Sequence, residues 1–464
     1  MELPYGIARL RDTARGLRGE RELAKRESWS PERLAAYQRE RIDSTVRYAV
    51  AHSRFYRERF AGLVGQRPVD LAALPELDKA TMMERFDDVV VDPRLRRDEL
   101  LRYVERASRD ELLHGRYRVT CTSGSSGRKG LFVWDRDAWA ALLAGFFRVN
   151  AMAGIAPRLP RLRFAAIVGT SPAHMTARLS QTISIGMHRL LPLPVTTPLP
   201  ELVERLNEFR PGFLHTFASV GALLADEQLA GRLRIAPGGI TTSSELMTPE
   251  MRARIEEAFG VSPTDLYAST EGLWACECEH HAGMHLFEDL TFVENVDEDG
   301  RPAPDGEPGA RLLVTSLVNR AQPLIRLAIS DIAVLDSSPC PCGRPLRRLV
   351  RIEGRADDTI RLRGSDGGHV LVHPMQFAPV ARDAGVREFQ VVQSGQRLRV
   401  RVVLRDGASP EDVAPRLERV LGDRLGAIGA GPESAVEVEP CSGLPRSAAS
   451  GGGKLKLVVA DPAA

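Results

Sequence analysis

The chain has 464 residues, 43% hydrophobic and 27% charged, which is enough for two or three globular domains with apolar cores. Its 63 basic and 61 acidic residues leave a formal net charge of +2, which argues against nucleic acid and anionic membranes as partners. The N-terminus lacks the apolar run of a secretory signal, and the most apolar stretch, 138–147, is too short to cross a bilayer. We therefore expect a cytoplasmic protein that acts on small molecules.

The predicted elements begin with an N-terminal helix. Ser30 is a typical N-cap residue and Pro31 suits the first helical position. Apolar residues then recur at helical spacing at Leu34, Tyr37, Ile42, Val46 and Val50. From residue 160 onward, short apolar runs alternate with amphipathic helices such as "LPELVERLNEF" and "TPEMRARIEEAFG". This alternation predicts an α/β fold with a doubly wound, mainly parallel sheet.

Two further regions follow the parallel sheet. In "TPEMRARIEEAFG", Thr248 caps a helix that Gly260 ends, so "VSPTDLYASTEG" is predicted as a strand and loop at one edge of the sheet. From Gly309 onward, "ARLLVTSL", "PLIRLAISDIAVL" and "LRRLVRIEG" predict a separate β-rich lobe. A last unit after "GRADDTI" contains alternating strands, a helix begun by "SPEDVAPRLERVL" and a glycine-lysine tail.

The segment "TSGSSGRKG", residues 122–130, lies between the predicted strand "RYRVTC" and a helix that begins near Asp135. Glycines allow close approach of the backbone to a ligand, and consecutive N–H groups with hydroxyls form a concavity for phosphate oxygens. It is not a Walker A loop, because the residue directly before Lys129 is not glycine and the residue directly after it is not serine or threonine. By itself the segment fits either a phosphate loop or a surface turn.

Four of the six cysteines fall in two tight clusters, which in a reducing compartment indicates a metal site. The clusters are "CECEHHAGMH", which begins at Cys276, and "CPCGR", which begins at Cys340. Thiolates and imidazoles in this number suit tetrahedral Zn²⁺. The alternative is a set of free buried thiols.

Six motifs, in this order, resemble those of adenylate-forming ligases, in the phenylacetate-CoA ligase and coenzyme F synthetase-like branch. They are "TSGSSG", "TTSSEL", "YASTEG", "RLAISD", "GRADDTIRLRG" and "LPRSAASGGGKLK". The resemblance runs from Tyr37 to Val459. It implies an enzyme that converts a carboxylic acid, by default an aryl or arylacetic acid, and ATP into an acyl-adenylate and pyrophosphate, and then transfers the acyl group to CoA.

The resemblance also implies an architecture and partners. A large N-terminal adenylation domain would cover residues 1–354, and a small mobile α+β C-terminal domain would cover residues 355–464. Mg²⁺ would accompany ATP. A homodimer is allowed, and neither nucleic acid nor a membrane takes part.

The resemblance assigns site residues as well. Phosphates would be held by Thr122, Ser123, Gly124, Ser125, Ser126, Gly127 and Lys129. Thr270 would hold the α-phosphate and Glu271 would bind Mg²⁺. The nucleoside would be bound by Ser244, Glu245, Tyr267, Ala268, Ser269, Asp331 and Arg355. Asp357 would be the hinge of the C-terminal domain. As alternatives, Asp331 and Asp357 are turn residues and Arg355 forms a surface ion pair.

The catalytic residue of the tail would be Lys454. The chain has only five lysines, and three glycines precede this one. Glycines leave the loop free of side-chain obstruction, and a lysine inserts a single compact charge where a guanidinium fork would need a planar partner.

By the same resemblance, the metal ligands would be Cys278, His285, Cys340 and Cys342, and four protein ligands would make the zinc structural. Cys276, His280 and His281 are close enough in sequence to be confused with them. His174, in "TSPAHMT", is a candidate for the acyl pocket or a satisfied loop histidine.

Three positions depart from the family pattern: Ala268 and Ser330 replace glycines, and Leu327 replaces an aromatic residue. The segment after the hinge also lacks the asparagine and glutamate common in CoA ligases. These departures leave open transfer to an amine or another nucleophile, or adenylation of another oxyacid such as nitrite. The non-enzymatic alternative is a degenerate, zinc-stabilised nucleotide-binding protein.

Overall fold

The computed structural model describes most of the chain. The residues described are 5–65, 68–107, 111–122, 130–155, 161–169, 171, 173–184, 186, 188–355, 360–372, 374–445 and 455–460.

Helices are distributed along the whole described chain. They are α1 (Tyr5–Arg26), α2 (Pro31–His52), α3 (Arg54–Arg59), α4 (Lys79–Glu84), α5 (Phe86–Val89), α6 (Arg97–Arg106), α7 (Arg136–Met152), α8 (Met175–Ile183), α9 (Leu199–Phe209), α10 (Ala218–Leu229), α11 (Pro249–Phe259), α12 (Ala378–Arg382) and α13 (Pro410–Ala427). Among the described residues, no helix combines the length and apolarity needed to cross a membrane.

The strands begin after the sixth helix. They are β1 (Arg118–Cys121), β2 (Leu131–Trp134), β3 (Arg163–Val168), β4 (Arg189–Pro194), β5 (Phe213–Phe217), β6 (Ile240–Ser243), β7 (Thr264–Ala268), β8 (Trp274–Glu277), β9 (Met284–Leu286), β10 (Thr291–Val296), β11 (Arg311–Ser316), β12 (Leu327–Ile329), β13 (Asp331–Asp336), β14 (Arg348–Arg355), β15 (Ile360–Arg363), β16 (His369–Val372), β17 (Val386–Ser394), β18 (Arg397–Leu404), β19 (Val436–Pro440) and β20 (Val458–Ala460).

Local capping sets the helix ends that the sequence predicts. The hydroxyl of Ser30 accepts from the N–H of Arg33 at the start of α2. Likewise, the hydroxyl of Thr248 accepts from the N–H of Met251, and Gly260 ends α11 with a φ of +69°. These contacts satisfy groups that a helix end leaves unpaired, so both predictions are confirmed.

The central feature of the fold is a mixed sheet of nine described strands in the order β13-β14-β9-β8-β7-β6-β5-β3-β4. The strands from β4 to β7 are parallel. From β7 to β13 the pairing is antiparallel. The predicted α/β class and parallel β/α unit are confirmed, and the sheet continues beyond that unit.

Two details of the predicted arrangement are wrong. Strand β7 is central rather than at an edge, because β8 turns back and pairs with it in antiparallel register. The strands predicted as one β-rich lobe divide between two sheets: β11 and β12 pair with β10, while β13 and β14 extend the large sheet. Strand periodicity identifies each segment but carries no information about its distant partner.

A hairpin that the sequence analysis missed carries the ends of the predicted phosphate loop. Strands β1 and β2 pair antiparallel from Arg118 opposite Trp134 to Cys121 opposite Leu131. Strand β2 therefore lies between the glycine-rich segment and α7, which Asp135 caps. All its residues are buried, so the alternation that marks a half-exposed strand is absent.

A buried aspartate fixes this hairpin to α1. The carboxylate of Asp12 lies 2.8 Å from Arg118 at the start of β1 and 2.7 Å from Arg136 at the start of α7. Asp12 and Arg118 are almost fully buried. Removing one partner of such a pair would leave an uncompensated buried charge, so these contacts hold the hairpin in one position.

The C-terminal strands form their own core. Strands β19-β18-β17-β20 make a four-stranded sheet, and β15 pairs with β16. Buried apolar side chains from Ile360 to Val458 pack together with α13 in a cluster separate from those of the large sheet.

Candidate functional site

The predicted site segments converge at one edge of the large sheet. Residues 244–245 follow β6, residues 269–271 follow β7, and His174 lies in the segment after β3. In open α/β sheets, ligands bind at the carboxyl ends of parallel strands. The structure therefore brings three separately predicted segments to the place where this fold can bind a ligand.

The turn after β7 holds Glu271 inside the protein. The N–H of Ser269 donates to the carbonyl of Leu273 at 2.9 Å, and the Ser269 hydroxyl accepts from the N–H of Leu273. Gly272 has a φ of +93°, and a Cβ there would lie 2.8 Å from the Trp134 ring. Glycine is therefore required beside Glu271, both for the backbone conformation and for the contact with β2.

Glu271 forms an ion pair that the sequence analysis did not anticipate. The ammonium of Lys79, the first residue of α4, lies 3.0 Å from Oε1 of Glu271. Burial opposes ionisation of Glu271, but the charge and hydrogen bond of Lys79 outweigh it and lower the pKa below the usual 4.5. Glu271 is thus held as a buried carboxylate.

The same lysine reaches the base of the glycine-rich segment. A Cβ at Gly130 would lie 2.6 Å from Cε of Lys79, so the lysine stem passes directly over this glycine. Across from it, the Thr122 hydroxyl accepts from the N–H of Gly130 at 2.8 Å. Lys79 therefore contacts Glu271 and lies beside Gly130, which Thr122 also contacts; Thr122 and Glu271 are both predicted to contact the phosphates or their metal.

A second carboxylate is fixed by two side chains. The phenol of Tyr267 donates to Oδ2 of Asp331 at 2.5 Å, and Arg355 donates to Oδ1 at 3.0 Å. Burial and the Asp331 charge raise the pKa of Tyr267 well above its usual 10.0, so the phenol stays a donor. Asp331 and Arg355 are register partners in β13 and β14, which explains their contact.

The segment after β6 has a strained backbone. Ser244 adopts a φ of +71°, which is uncommon for a residue with a side chain and often marks functional sites. Its hydroxyl lies 3.4 Å from that of Ser243, which in turn lies 3.4 Å from Nε2 of His215. Desolvation lowers the pKa of His215 to about 4, so this imidazole is neutral near pH 7. His215 is a second residue that the sequence analysis missed.

The remaining described candidates are partly or fully exposed to solvent. His174 precedes α8, and the carbonyl of its neighbour Ala173 accepts from the N–H of Cys121 at the end of β1. Ala268 ends β7 opposite Trp274, and Thr270 is partly buried in the turn that follows. Outside the described residues lie Ser123, Gly124, Ser125, Ser126, Gly127, Lys129, Asp357 and Lys454.

The four predicted metal ligands lie together among the antiparallel strands of the large sheet. Cys278 follows β8, His285 lies in β9, and Cys340 and Cys342 lie in the connection from β13 to β14. The ligand atoms of Cys278, His285, Cys340 and Cys342 are all within 4.8 Å of one another. Sγ of Cys278 lies 3.7 Å from Sγ of Cys340, and Sγ of Cys342 lies 3.2 Å from Nε2 of His285. The sulfur separation excludes a disulfide, whose sulfurs lie about 2 Å apart.

The cluster fits tetrahedral zinc. Zn–S bonds of ~2.3 Å at tetrahedral angles place two sulfurs about 3.8 Å apart. Nδ1 of His285 lies 3.1 Å from the carbonyl of Leu346, so it can donate there while Nε2 faces the cysteines. The neighbouring candidates are directed elsewhere: Cys276 contacts the Glu277 carbonyl, His281 contacts the Glu277 carboxylate, and His280 is exposed.

Comparisons with known proteins agree with this fold. No family model matches the chain. The chain is 27% identical over 363 residues to a phenylacetate-coenzyme A ligase of Thermus thermophilus, covering 75% of each chain. It is 28% identical over 372 residues to that of Escherichia coli, covering 76% of each. A solved structure of 2-hydroxyisobutyryl-CoA ligase with an adenylate matches with a TM-score of 0.72 at 22% identity, covering 95% of this chain and 92% of that one.

These comparisons confirm the recognition made from the motifs. The chain has the fold of the 2-hydroxyisobutyryl-CoA ligase structure, and its sequence relatives include phenylacetate-coenzyme A ligases.

Proposed function

We propose that this chain is an enzyme that activates a carboxylic acid with ATP as an acyl-adenylate and then transfers the acyl group to CoA. The observation that carries the proposal is the cluster of Thr122, Lys79 and Glu271 at the carboxyl edge of the sheet. The reaction brings two anions together, the carboxylate and ATP. The site therefore needs positive charge, phosphate-loop donors and a carboxylate able to bind Mg²⁺. The phenylacetate-CoA ligase relatives support the same activity.

In the first half-reaction, an oxygen of the acid attacks the α-phosphorus of ATP. The bond from that phosphorus to the oxygen bridging the β-phosphate breaks, and pyrophosphate leaves with the electron pair. Thr122, Thr270 and Lys454 would orient and neutralise the reacting groups. Mg²⁺ held by Glu271 would supply charge neutralisation at the phosphates.

The nucleoside would be oriented by the Asp331 carboxylate. Tyr267 and Arg355 each occupy one of its oxygens, and both oxygens retain lone pairs for ribose hydroxyls. Because each partner donates to a different oxygen, the two hydrogen bonds fix the direction of the Asp331 carboxylate.

In the second half-reaction, the thiol of CoA loses its proton and attacks the acyl carbon, and the carbon–oxygen bond to AMP breaks. CoA is favoured as the acceptor because the sequence relatives that match three quarters of this chain are phenylacetate-coenzyme A ligases. We propose that the C-terminal unit, residues 355–464, turns about Asp357 between the half-reactions. Transfer to another nucleophile, which Ala268, Leu327 and Ser330 suggest, is not favoured by the comparisons.

The cysteine-histidine cluster would hold a structural zinc. Four protein ligands leave no open position for a substrate. The ion would join the segment after β8, strand β9 and the connection from β13 to β14. It would therefore hold β13, which begins with Asp331, in place relative to the turn that carries Glu271.

The test is a panel of aryl, arylacetic and aliphatic acids assayed for acid-dependent pyrophosphate release, with and without CoA. We expect release with at least one acid, formation of its CoA thioester, and loss of both activities in Glu271→Gln. Pyrophosphate release that no acid stimulates, or adenylate that CoA does not consume, would contradict the proposal.

A further inference from the structure

One carboxylate bonds two separate parts of the chain. Oε2 of Glu245 accepts from the N–H of Ser219, and Oε1 accepts from the N–H of Leu455, each at 3.1 Å. Ser219 lies in the first turn of α10, whose N-cap residue Phe217 makes no side-chain cap. A carboxylate at a helix N-terminus is stabilised by the free N–H groups and the helix dipole, so Glu245 is firmly held on the large-sheet side.

The other end of the contact belongs to the C-terminal sheet. The carbonyl of Lys456 accepts from Gln390, and the carbonyl of Leu457 accepts from the N–H of Val391 at 2.7 Å. Strand β20 begins at the next residue and pairs with β17. Leu455 is thus tied closely to the C-terminal core, and its bond to Glu245 joins the two units.

The position of Leu455 in the sequence links its hydrogen bond with Glu245 to the proposed catalytic lysine. It directly follows Lys454, the lysine proposed to act in adenylate formation. A bond to the N–H of Leu455 therefore restrains the chain at the residue directly after that lysine. The backbone on the other side is constrained as well, because Ser244 holds a φ of +71° immediately before Glu245.

We propose that Glu245 is a positioning residue that latches the C-terminal segment in the arrangement for adenylate formation and releases it for acyl transfer. This inference rests on the proposed function. It differs from the nucleotide-contacting role that the motif resemblance implies for Glu245. The carboxylate can break the bond to Leu455 while keeping the one to Ser219, so the latch can open without unfolding the loop.

Glu245→Ala separates these roles. We expect acid-dependent pyrophosphate release to fall about tenfold, the size of effect expected from one charge-assisted hydrogen bond. Thioester formation from the supplied acyl-adenylate and CoA, and the affinity for ATP, should stay within about twofold of wild type. Hydrogen exchange of the peptide containing residues 455–460 should become faster.

The matched control is Glu250→Gln, since Glu250 also pairs with the C-terminal unit, but at 3.6 Å from Arg382 on an exposed surface. It should change none of these measurements. Weaker ATP binding by Glu245→Ala, or an equal loss of rate in both half-reactions, would overturn the proposal that Glu245 acts as a latch. If no acid supports pyrophosphate release in the wild type, the proposed function fails, and unchanged exchange of residues 455–460 in Glu245→Ala would then overturn the latch independently.

Discussion

The ammonium of Lys79 lies 3.0 Å from the carboxylate of Glu271, although 192 positions separate them in the sequence. The pair joins α4 to the turn after β7, and the lysine stem passes over Gly130 on its way. A buried acid predicted to bind Mg²⁺ is therefore kept ionised by a lysine placed beside the predicted phosphate loop. Lys79 belongs to the candidate site as much as the motif residues do.

Lys79→Met should slow adenylate formation and shift its pH dependence. Without Lys79, only the smaller effects of hydrogen bonds from the backbone and from Ser269 oppose burial, so the pKa of Glu271 should rise and the acid limb of the pyrophosphate-release profile should move to higher pH. Because folding lowers this pKa in the wild type, ionised Glu271 stabilises the fold above its unfolded-state pKa. That stabilisation is lost as the pH falls through the folded-state pKa.

The control for this experiment is Lys25→Met, since Lys25 forms an exposed pair with Glu22 on α1. It should leave the profile unchanged. An acid limb that stays in place in Lys79→Met would show that Lys79 does not set the ionisation of Glu271.

Tyr267→Phe should raise the KM for ATP by roughly three- to tenfold with little change in kcat. The phenol donates to Asp331, and its loss removes one hydrogen bond to a charged acceptor without emptying the space. The preference for ATP over 2′-deoxy-ATP should also shrink, because Asp331 would be less well oriented. Steady-state kinetics with both nucleotides measures the two effects, and an unchanged preference would argue against ribose binding by Asp331.

The purified chain should contain one zinc ion, and Cys342→Ser should lose it. The melting temperature should fall by on the order of 5 °C or more, because metal binding contributes directly to folding. Cys276→Ser is the matched control, since Cys276 is buried nearby but contacts the Glu277 carbonyl. Metal analysis by mass spectrometry decides the matter, and wild-type protein free of zinc would contradict the assignment.

Lys454→Ala should slow adenylate formation by on the order of a hundredfold, by analogy with the loss of one preorganised donor. ATP binding should change little, because the lysine belongs to the unit proposed to move. Lys456→Ala is the comparison, since Lys456 lies two residues further on and its backbone carbonyl already bonds Gln390. The reverse result, with slow adenylate formation in Lys456→Ala and a normal rate in Lys454→Ala, would overturn the assignment of Lys454 as the catalytic lysine.

The sequence alone determined the features that depend on residues only a few positions apart in the chain. Ser30, Thr248 and Gly260 act on backbone groups within a few positions, so the helix ends they predict match α2 and α11. The ordered motifs carry the resemblance to adenylate-forming ligases. The cysteine spacing indicated two clusters, and the resemblance selected Cys278, His285, Cys340 and Cys342 from them as the proposed zinc ligands. Each of these signals is local. What the structure adds is the place at which the segments come together.

Only the tertiary structure determined the long-range contacts. Strands β13 and β14 join the large sheet because of a register that strand periodicity does not encode. Lys79 was counted in the sequence as one of five lysines, but nothing near it indicated a partner beyond β7. Likewise, Glu245 matched a motif, whereas its bonds to Ser219 and Leu455 depend on how the helices and the two sheets approach each other. Pairing at such separations follows from the packing of the whole chain, because many distant partners would satisfy the same local pattern.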